Sequence, residues 1–178
     1  MLHALPRTIR TIVALLLASL CLAIAPHARA AADIFLNLTG IPGESTAASH
    51  VGDIDVLSFQ WAAQSNGTTS TAQDLVITKR VDKATPKLML ALFKGQAIAS
   101  AILFVRNQNA TPVEFLKITL TSATVSSINS SGSTTGGTSE QISLHFQKIG
   151  IDYIPLNPDG TPQATVSNFW NIISNSGG

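Results

Sequence analysis

The sequence is poor in cysteine and histidine, and each shortage excludes a class of protein. The single cysteine, Cys21, lies in an apolar segment near the start, so the chain beyond it has no disulfide, thiol nucleophile or thiolate metal site. Only His50 and His145 follow residue 30, which is too few for a histidine-rich metal site. We therefore expect stability to come from apolar burial, and we expect no cofactor and no metal.

Charged residues are also scarce, at 12% of the chain, with a formal net charge of +1. If residues 1–30 are removed, Arg7, Arg10 and Arg29 are lost and no acid is lost. The 11 basic side chains then fall to 8 against 10 acidic ones, a formal charge of −2. Such a weakly acidic domain does not attract nucleic acid or an anionic membrane, and neither is an expected partner.

Residues 1–30 have the pattern of a secretory signal peptide. Arg7 and Arg10 precede an apolar run over residues 12–24, and Ala28 and Ala30 place small side chains where signal peptidase reads them. The run is shorter than a membrane-spanning helix needs, so a retained anchor is the less favoured alternative. The pattern predicts cleavage after Ala30, a secreted or periplasmic protein, and one domain over residues 31–178.

The rest of the chain alternates apolar and polar residues as β-strands do. The apolar set changes face near Leu57, which predicts either a β-bulge or a strand covered on both sides. A second change over residues 147–150 predicts a β-bulge. Gly- and Ser-rich connections separate the strands, and the run from Asn129 is predicted to be flexible. These features predict an all-β fold, an antiparallel β-barrel or sandwich with one short lateral α-helix. The predicted strands cover residues 33–38, 54–63, 75–81, 101–105, 113–128, 140–153 and 166–173.

One helix is predicted over residues 86–94. Thr85 can supply an N-cap oxygen, Pro86 suits the first helical position, and Gly95 suits the left-handed residue that ends a helix. Lys94 places a positive charge at the negative end of the helix dipole. At nine residues, about 14 Å long, the helix needs tertiary packing to be stable in water.

Apolar residues occupy more than one side of this helix. Leu88, Ala91 and Leu92 mark one face, and Met89, Leu90 and Phe93 extend the apolar surface around it. Two interpretations remain open on this pattern. The helix packs on its own sheet and on another subunit, or it is fully buried in the core of one chain.

Residues 39–53 form a connection of unusual length for a compact domain. Ile41 lies within it, and an apolar side chain there is expected to dock against a partner surface. His50 lies near Glu44, Asp53 and Asp55, which favours a loop hydrogen bond over a metal ligand.

No catalytic residue is predicted. Asp53 and Asp55 share a strand parity and could form a carboxylate pair, but a charged strand face is the commoner structure. His145 is expected to be exposed or to face an interface. No serine lies in a nucleophile elbow. A hydrolase that uses Asp53, Asp55 or His50 is therefore the least favoured hypothesis.

Five blocks of sequence resemble, in order and spacing, the Hcp family, the tube proteins of bacterial type VI secretion. The blocks are DIFLNLTGIPGES, His50 with DIDVLSFQW, ITKRVDKATPKLMLALFKGQAI, EFLKITLTSATVSS and ISLHFQKIGIDYIP. The resemblance implies a β-barrel with one lateral helix that assembles into a hexameric ring. It also implies that rings can stack into a hollow tube, with secretion-spike or effector proteins as further partners.

The resemblance also implies which residues make the contacts. Residues 39–53 would be the loop that joins neighbouring rings, and its central residues are Gly40, Ile41, Pro42, Gly43, Glu44 and Ser45. The interface within a ring would use Lys79, Arg80, Asp82, Leu88, Met89, Leu92 and Phe93. The basic cluster of Lys79, Arg80, Lys83 and Lys87 is expected to be solvated or to face a subunit.

The leader is at odds with this resemblance, because Hcp proteins are normally assembled in the cytoplasm and need no signal peptide. Two hypotheses follow. The chain is a structural ring- or tube-forming protein of type VI secretion, or it is an exported Hcp-like binding module that does not serve as the contractile tube.

Overall fold

The computed structural model describes residues 31–178, and the predicted leader lies outside the described residues. This part of the chain is built almost entirely from antiparallel strands and has one helix, α1, at Thr85–Lys94. The strands in chain order are β1 (Ala32–Leu38), β2 (Ile54–Gln60), β3 (Ala63–Ser65), β4 (Ser70–Ala72), β5 (Leu75–Arg80), β6 (Ala97–Asn107), β7 (Glu114–Ser133), β8 (Gly137–His145), β9 (Lys148–Tyr153), β10 (Val166–Asn171) and β11 (Ser176–Gly177).

Six of these strands close into a barrel. Neighbours pair in the order β6, β1, β2, β5 and β8, and β7 completes the circle because it pairs with both β6 and β8. The predicted antiparallel barrel with one short helix is confirmed. Closure removes free strand edges, which would otherwise pair with other chains.

Apolar side chains of one parity on each barrel strand point inward and form the core. Leu36 of β1, Ile54 of β2, Leu103 of β6 and Ile118 of β7 are all essentially inaccessible to solvent. Since successive side chains of a strand point to opposite faces, the residues between them lie on the outer surface of the barrel. The barrel is therefore a filled core rather than a pore.

The long strand β7 pairs with two later strands of the chain, β8 and β9. Its first half pairs with β9 over 116–121, and its second half pairs with β8 over 124–133. The predicted bulge over residues 147–150 is therefore wrong, because the chain breaks into two strands there. The predicted flexible run from Asn129 is also wrong over its first residues, since Ser133 still pairs with Gly137 in a tight hairpin.

The predicted bulge near Leu57 is confirmed. The register between β2 and β5 shifts between Val56 and Ser58, which is a β-bulge at Leu57. Gly67 has a φ of 87° in the turn between β3 and β4, a conformation that favours glycine. The bulge leaves Leu57 on the outside of the barrel, where it is exposed.

Helix α1 begins one residue earlier than predicted. Its N-cap is Ala84, which makes no side-chain cap, so the predicted capping role of Thr85 is wrong. The hydroxyl of Thr85 instead donates to the buried carboxylate of Glu140. The end of the helix is as predicted, with Gly95 in the left-handed conformation at a φ of 56° and Lys94 in the last turn.

Candidate functional site

One face of α1 packs on the barrel and the other is bare. Leu88 and Ala91 are buried, and the helix packs against β7. On the outer side Phe93 is 79% exposed, and Met89 and Leu90 are each about half exposed. The hypothesis of a fully buried helix is therefore wrong. In this single chain an apolar helix face, defined by Met89, Leu90 and Phe93 and called here the helix patch, meets solvent.

The predicted interface residues separate into two groups. Arg80, Met89 and Phe93 are exposed, and Asp82 and Leu92 are partly so. Lys79 and Leu88 are buried within the chain, so neither can contact a neighbouring subunit in this conformation and the prediction is wrong for both. Leu90 was missing from the predicted interface although it is as exposed as Met89.

The burial of Lys79 has a clear cause. Its Nζ donates to Oε1 of Glu140 at 2.6 Å, to Oδ1 of Asp82 at 2.7 Å and to the carbonyl of Arg80 at 2.7 Å. A buried ammonium needs such partners to offset its lost hydration. Lys79 therefore belongs to a structural network that fixes the entry of α1, and only Arg80, Lys83 and Lys87 of the predicted basic cluster are exposed.

The loop over residues 39–53 is folded back on itself and on the barrel. The amides of Gly43 and Ser45 donate to the carbonyls of Gly52 and Asp53, and the amide of Gly52 donates to the carbonyl of Ser45. Glu44 accepts a hydrogen bond from the amide of Lys83, which ties the loop to the entry of α1.

The apolar residue at the loop surface is not the one predicted. Ile41 is buried in the core of its own chain, so the expectation that it needs a partner surface is wrong. Gly43 and Ser45 are also buried, whereas Gly40, Pro42 and Glu44 are exposed. Val51, 73% exposed, is the apolar side chain that this loop presents to solvent.

His50 attaches the loop to the outside of the barrel. Its ring stacks on Phe35 with centroids 4.2 Å apart, and its two nitrogens face carboxylates of Asp53 and Glu114 at 2.9 Å and 3.1 Å. The predicted loop hydrogen bond is confirmed. Glu114 was not predicted as a partner, because it lies 64 residues away in the sequence and only the fold brings it there.

The chemistry-bearing side chains form no catalytic arrangement in residues 31–178. Both nitrogens of His50 are occupied and the ring is buried, whereas Asp55 is exposed and is not a hydrogen-bond partner of His50. His145 and Ser126 both bond to Asp74, so the carboxylate lies between them and the histidine cannot take a proton from the serine. No cluster able to hold a metal ion occurs among these residues.

A second apolar surface lies on the strands that extend beyond the barrel. β9, β10 and β11 continue the sheet from the first half of β7. Ile149 on the inward-facing row of β9 is buried, but Tyr153 at the other end of the same row is exposed, as is Val166 directly opposite it. The pair of Tyr153 and Val166, called here the extension patch, is chemically suited to a protein contact.

Comparison with known proteins identifies the family. The model of the family described as type VI secretion system effector, Hcp, matches residues 35–153. The chain belongs to the Hcp family. Protein hcp1 of Pseudomonas aeruginosa is 34% identical over 160 residues, which cover 82% of this chain and 98% of that protein. The resemblance drawn from the five sequence blocks is thereby confirmed.

Solved structures of the Hcp family share the fold. Hcp1 from Salmonella typhimurium is similar with a TM-score of 0.73 and 30% identity, over 83% of this chain and 99% of that one. A type six secretion system protein gives a TM-score of 0.79 at 28% identity, over 83% of this chain and all of that one. Membership supports the hypothesis of a structural, ring- or tube-forming component over that of a separate binding module.

No helix in the described part of the chain is long and apolar enough to cross a membrane.

Proposed function

We propose that this chain assembles into a hexameric ring that serves type VI secretion as a structural protein. The observation that carries the proposal is the helix patch, where a large aromatic side chain and two aliphatic ones are exposed in a single chain. A short helix is stabilised mainly by packing of its apolar faces, and α1 has one such face uncovered.

The ring geometry is supported by the presence of two different apolar surfaces. A closed ring needs a heterologous interface, in which one patch of a subunit contacts a different patch of the next. The helix patch and the extension patch are such a pair of unlike surfaces on one chain. We propose that they belong to the two sides of the interface within the ring, together with Arg80, Asp82 and Leu92.

The loop over residues 39–53 is proposed to join one ring to the next. It is held rigidly to the barrel, and it presents Val51 to solvent. A rigid loop loses little conformational entropy when it binds, so one exposed valine can add to a repeated contact. Stacked rings would form a hollow tube, and spike or effector proteins of the secretion machine are its proposed partners.

Residues 1–30 are proposed to be an export leader that is cleaved after Ala30. The support is the sequence pattern of two arginines, an apolar run and small residues before the cleavage point. Mass spectrometry of the protein recovered from the periplasm or medium tests this. A new N-terminus at Ala31 is expected, and a retained leader would contradict it.

The ring proposal is tested by measuring the mass of the assembly in solution. Wild-type protein is expected to form hexamers at micromolar concentration, and Phe93→Asp is expected to dissociate them because it places a charge in an apolar contact. Lys94→Gln, an exposed neighbour in the same turn, is the matched control and is expected to keep the hexamer. A hexamer that survives Phe93→Asp would show that the helix patch is not the interface.

A further inference from the structure

The ring of His50 is buried on the outer surface of the barrel. It stacks on Phe35 and lies 4.9 Å from Phe104, and it is 4% exposed. Phe35 and Phe104 are cross-strand neighbours on β1 and β6 and point away from the barrel core. The loop over residues 39–53 therefore covers two outward-facing aromatic rings through this one histidine.

The two hydrogen bonds of His50 need an extra proton. Nδ1 faces Oδ2 of Asp53 at 2.9 Å, and Nε2 faces Oε1 of Glu114 at 3.1 Å. An ionised carboxylate only accepts hydrogen bonds, and a neutral imidazole has a single N–H. Both bonds can form together only if the cluster holds one proton more than a neutral ring between two carboxylates.

The other charged groups around the ring do not supply that proton. Arg106 pairs with Asp33, lies 4.8 Å above the Phe35 ring and donates to the Ser49 hydroxyl. Asp55 on β2 is the cross-strand neighbour of Phe35, and Lys117 on β7 is that of Phe104. Neither is a hydrogen-bond partner of His50.

Asn37 donates to Oδ1 of Asp53 at 2.6 Å, so it holds Asp53 in place whatever the state of the ring. If the extra proton leaves, the bond to Glu114 is therefore the one that is lost. The side chain of Glu114 is 39% exposed, so water can solvate its carboxylate once that bond is gone.

We propose that His50 is a proton-dependent latch that seats this loop on the barrel. The seated loop binds one more proton than the released loop, so seating strengthens as the pH falls and weakens as it rises. The loop is thus held more firmly at lower pH than at higher pH.

Hydrogen exchange of the full chain, as purified from the cells that express it, tests the latch. The loop amides of Gly43, Ser45 and Gly52 are compared with the barrel amides of β6 at about pH 6 and about pH 9, after correction for the intrinsic rates. Loop exchange is expected to rise about tenfold at the higher pH, the effect of losing one hydrogen bond to a charged group, with β6 unchanged.

Glu114→Gln is the decisive variant. An amide can donate to an unprotonated Nε2 and can accept from a protonated one, so the loop should stay seated at both pH values and its pH dependence should disappear. His145→Gln is the matched control, because His145 also bonds to a carboxylate, Asp74, but is 59% exposed and far along the chain from the loop. It is expected to behave as wild type.

Two results would overturn the latch. One is loop exchange in the wild type that does not change with pH, or that changes only in step with β6. The other is a Glu114→Gln variant that keeps the full pH dependence. Light scattering at each pH reports the assembly state separately, so the latch can fail while the proposed ring stands, and the reverse.

Discussion

The Nζ atom of Lys79 lies 2.6 Å from Oε1 of Glu140, and both side chains are completely buried. The two residues are direct cross-strand neighbours on β5 and β8. Oδ1 of Asp82 contacts the same ammonium, and Asp82 also accepts from the amide of Ala84 at the start of α1. This buried pair therefore links the closure of the barrel to the position of the helix that carries the exposed apolar face.

Lys79→Met is expected to destabilise the protein strongly. The change leaves the carboxylate of Glu140 buried without its cation, and breaking a buried ion pair in this way costs about 3 to 5 kcal/mol. Urea unfolding followed by circular dichroism measures the loss.

The double variant Lys79→Met with Glu140→Leu is the matched control for that prediction. Two apolar residues of similar volume remove the fully buried carboxylate, and Asp82 keeps its bond from the amide of Ala84 and some contact with solvent, so much of the stability should return. If the double variant were as unstable as the single one, the cost would come from packing and not from the unpaired charge.

Gly43→Ala is expected to displace the loop over residues 39–53. A Cβ atom at this position would lie 2.3 Å from the carbonyl oxygen of Asp53 and 2.5 Å from Cα of Ile54, and backbone atoms cannot move aside cheaply. Overpacking of this kind costs about 1 to 3 kcal/mol. Thermal unfolding and hydrogen exchange of the loop measure the effect.

Gly40→Ala is the comparison for that variant. Gly40 has a φ of 84°, and no atom lies within 4 Å of an added Cβ, so the only penalty is backbone strain. Its loop should remain seated with slow exchange. Equal loop exchange in both variants would mean that the close approach at Gly43 does not hold the loop.

Val51→Asp tests whether the loop over residues 39–53 joins rings into tubes, because it is expected to block the stacking of rings and to leave ring formation intact. Val51 is the exposed apolar side chain of the loop, and it lies on a different part of the chain from the helix patch. If the loop joins rings, the variant should form single rings with no longer tubes, as seen by negative-stain electron microscopy. Tubes of wild-type length in this variant would contradict the assigned role of the loop.

The carboxyl of Asp152 makes the stability of the fold depend on pH, in a direction that follows from its lowered pKa. The hydroxyl of Ser167 and then the ammonium of Lys117 hold the pKa of this carboxyl below its ordinary value. Its contribution to stability is therefore present above about pH 4, the range of an unfolded aspartate, and is lost as the pH falls through the lowered pKa. The contribution is small, because the pair with Lys117 is exposed to solvent.

These two causes can be checked by substitution. Ser167→Ala and Lys117→Gln should each flatten the acid limb of a plot of the urea midpoint against pH, because both groups lower the pKa of the Asp152 carboxyl. An unchanged acid limb in Ser167→Ala would contradict the role of the hydroxyl.

Alternation of apolar and polar residues predicted barrel strands and the bulge at Leu57, and the identity of Gly95 predicted the end of α1, because these features depend on neighbours along the chain. The same alternation also held a signal for the buried pair. Lys79 continues the inward parity of Leu75 and Ile77, and Glu140 continues that of Ile142 and Leu144. Opposite charges on the inward rows of two strands indicate a buried ion pair when those strands are neighbours.

What the sequence could not reveal is which distant segments meet. The contact of His50 with Glu114 depends on the loop folding back over β1 and β6, and the burial of Ile41 depends on the same fold. Local composition predicted a long loop with an apolar residue that needs a partner. It could not tell that the partner is the core of the same chain.

The most direct test of the account is the mass of the wild-type assembly by native mass spectrometry or analytical ultracentrifugation at micromolar concentration. We expect a single species six times the mass of the processed chain, with multiples of six where rings stack. A monomer at that concentration, with Phe93 of the helix patch free in solution, would contradict the claim that copies of this chain cover the bare face of α1.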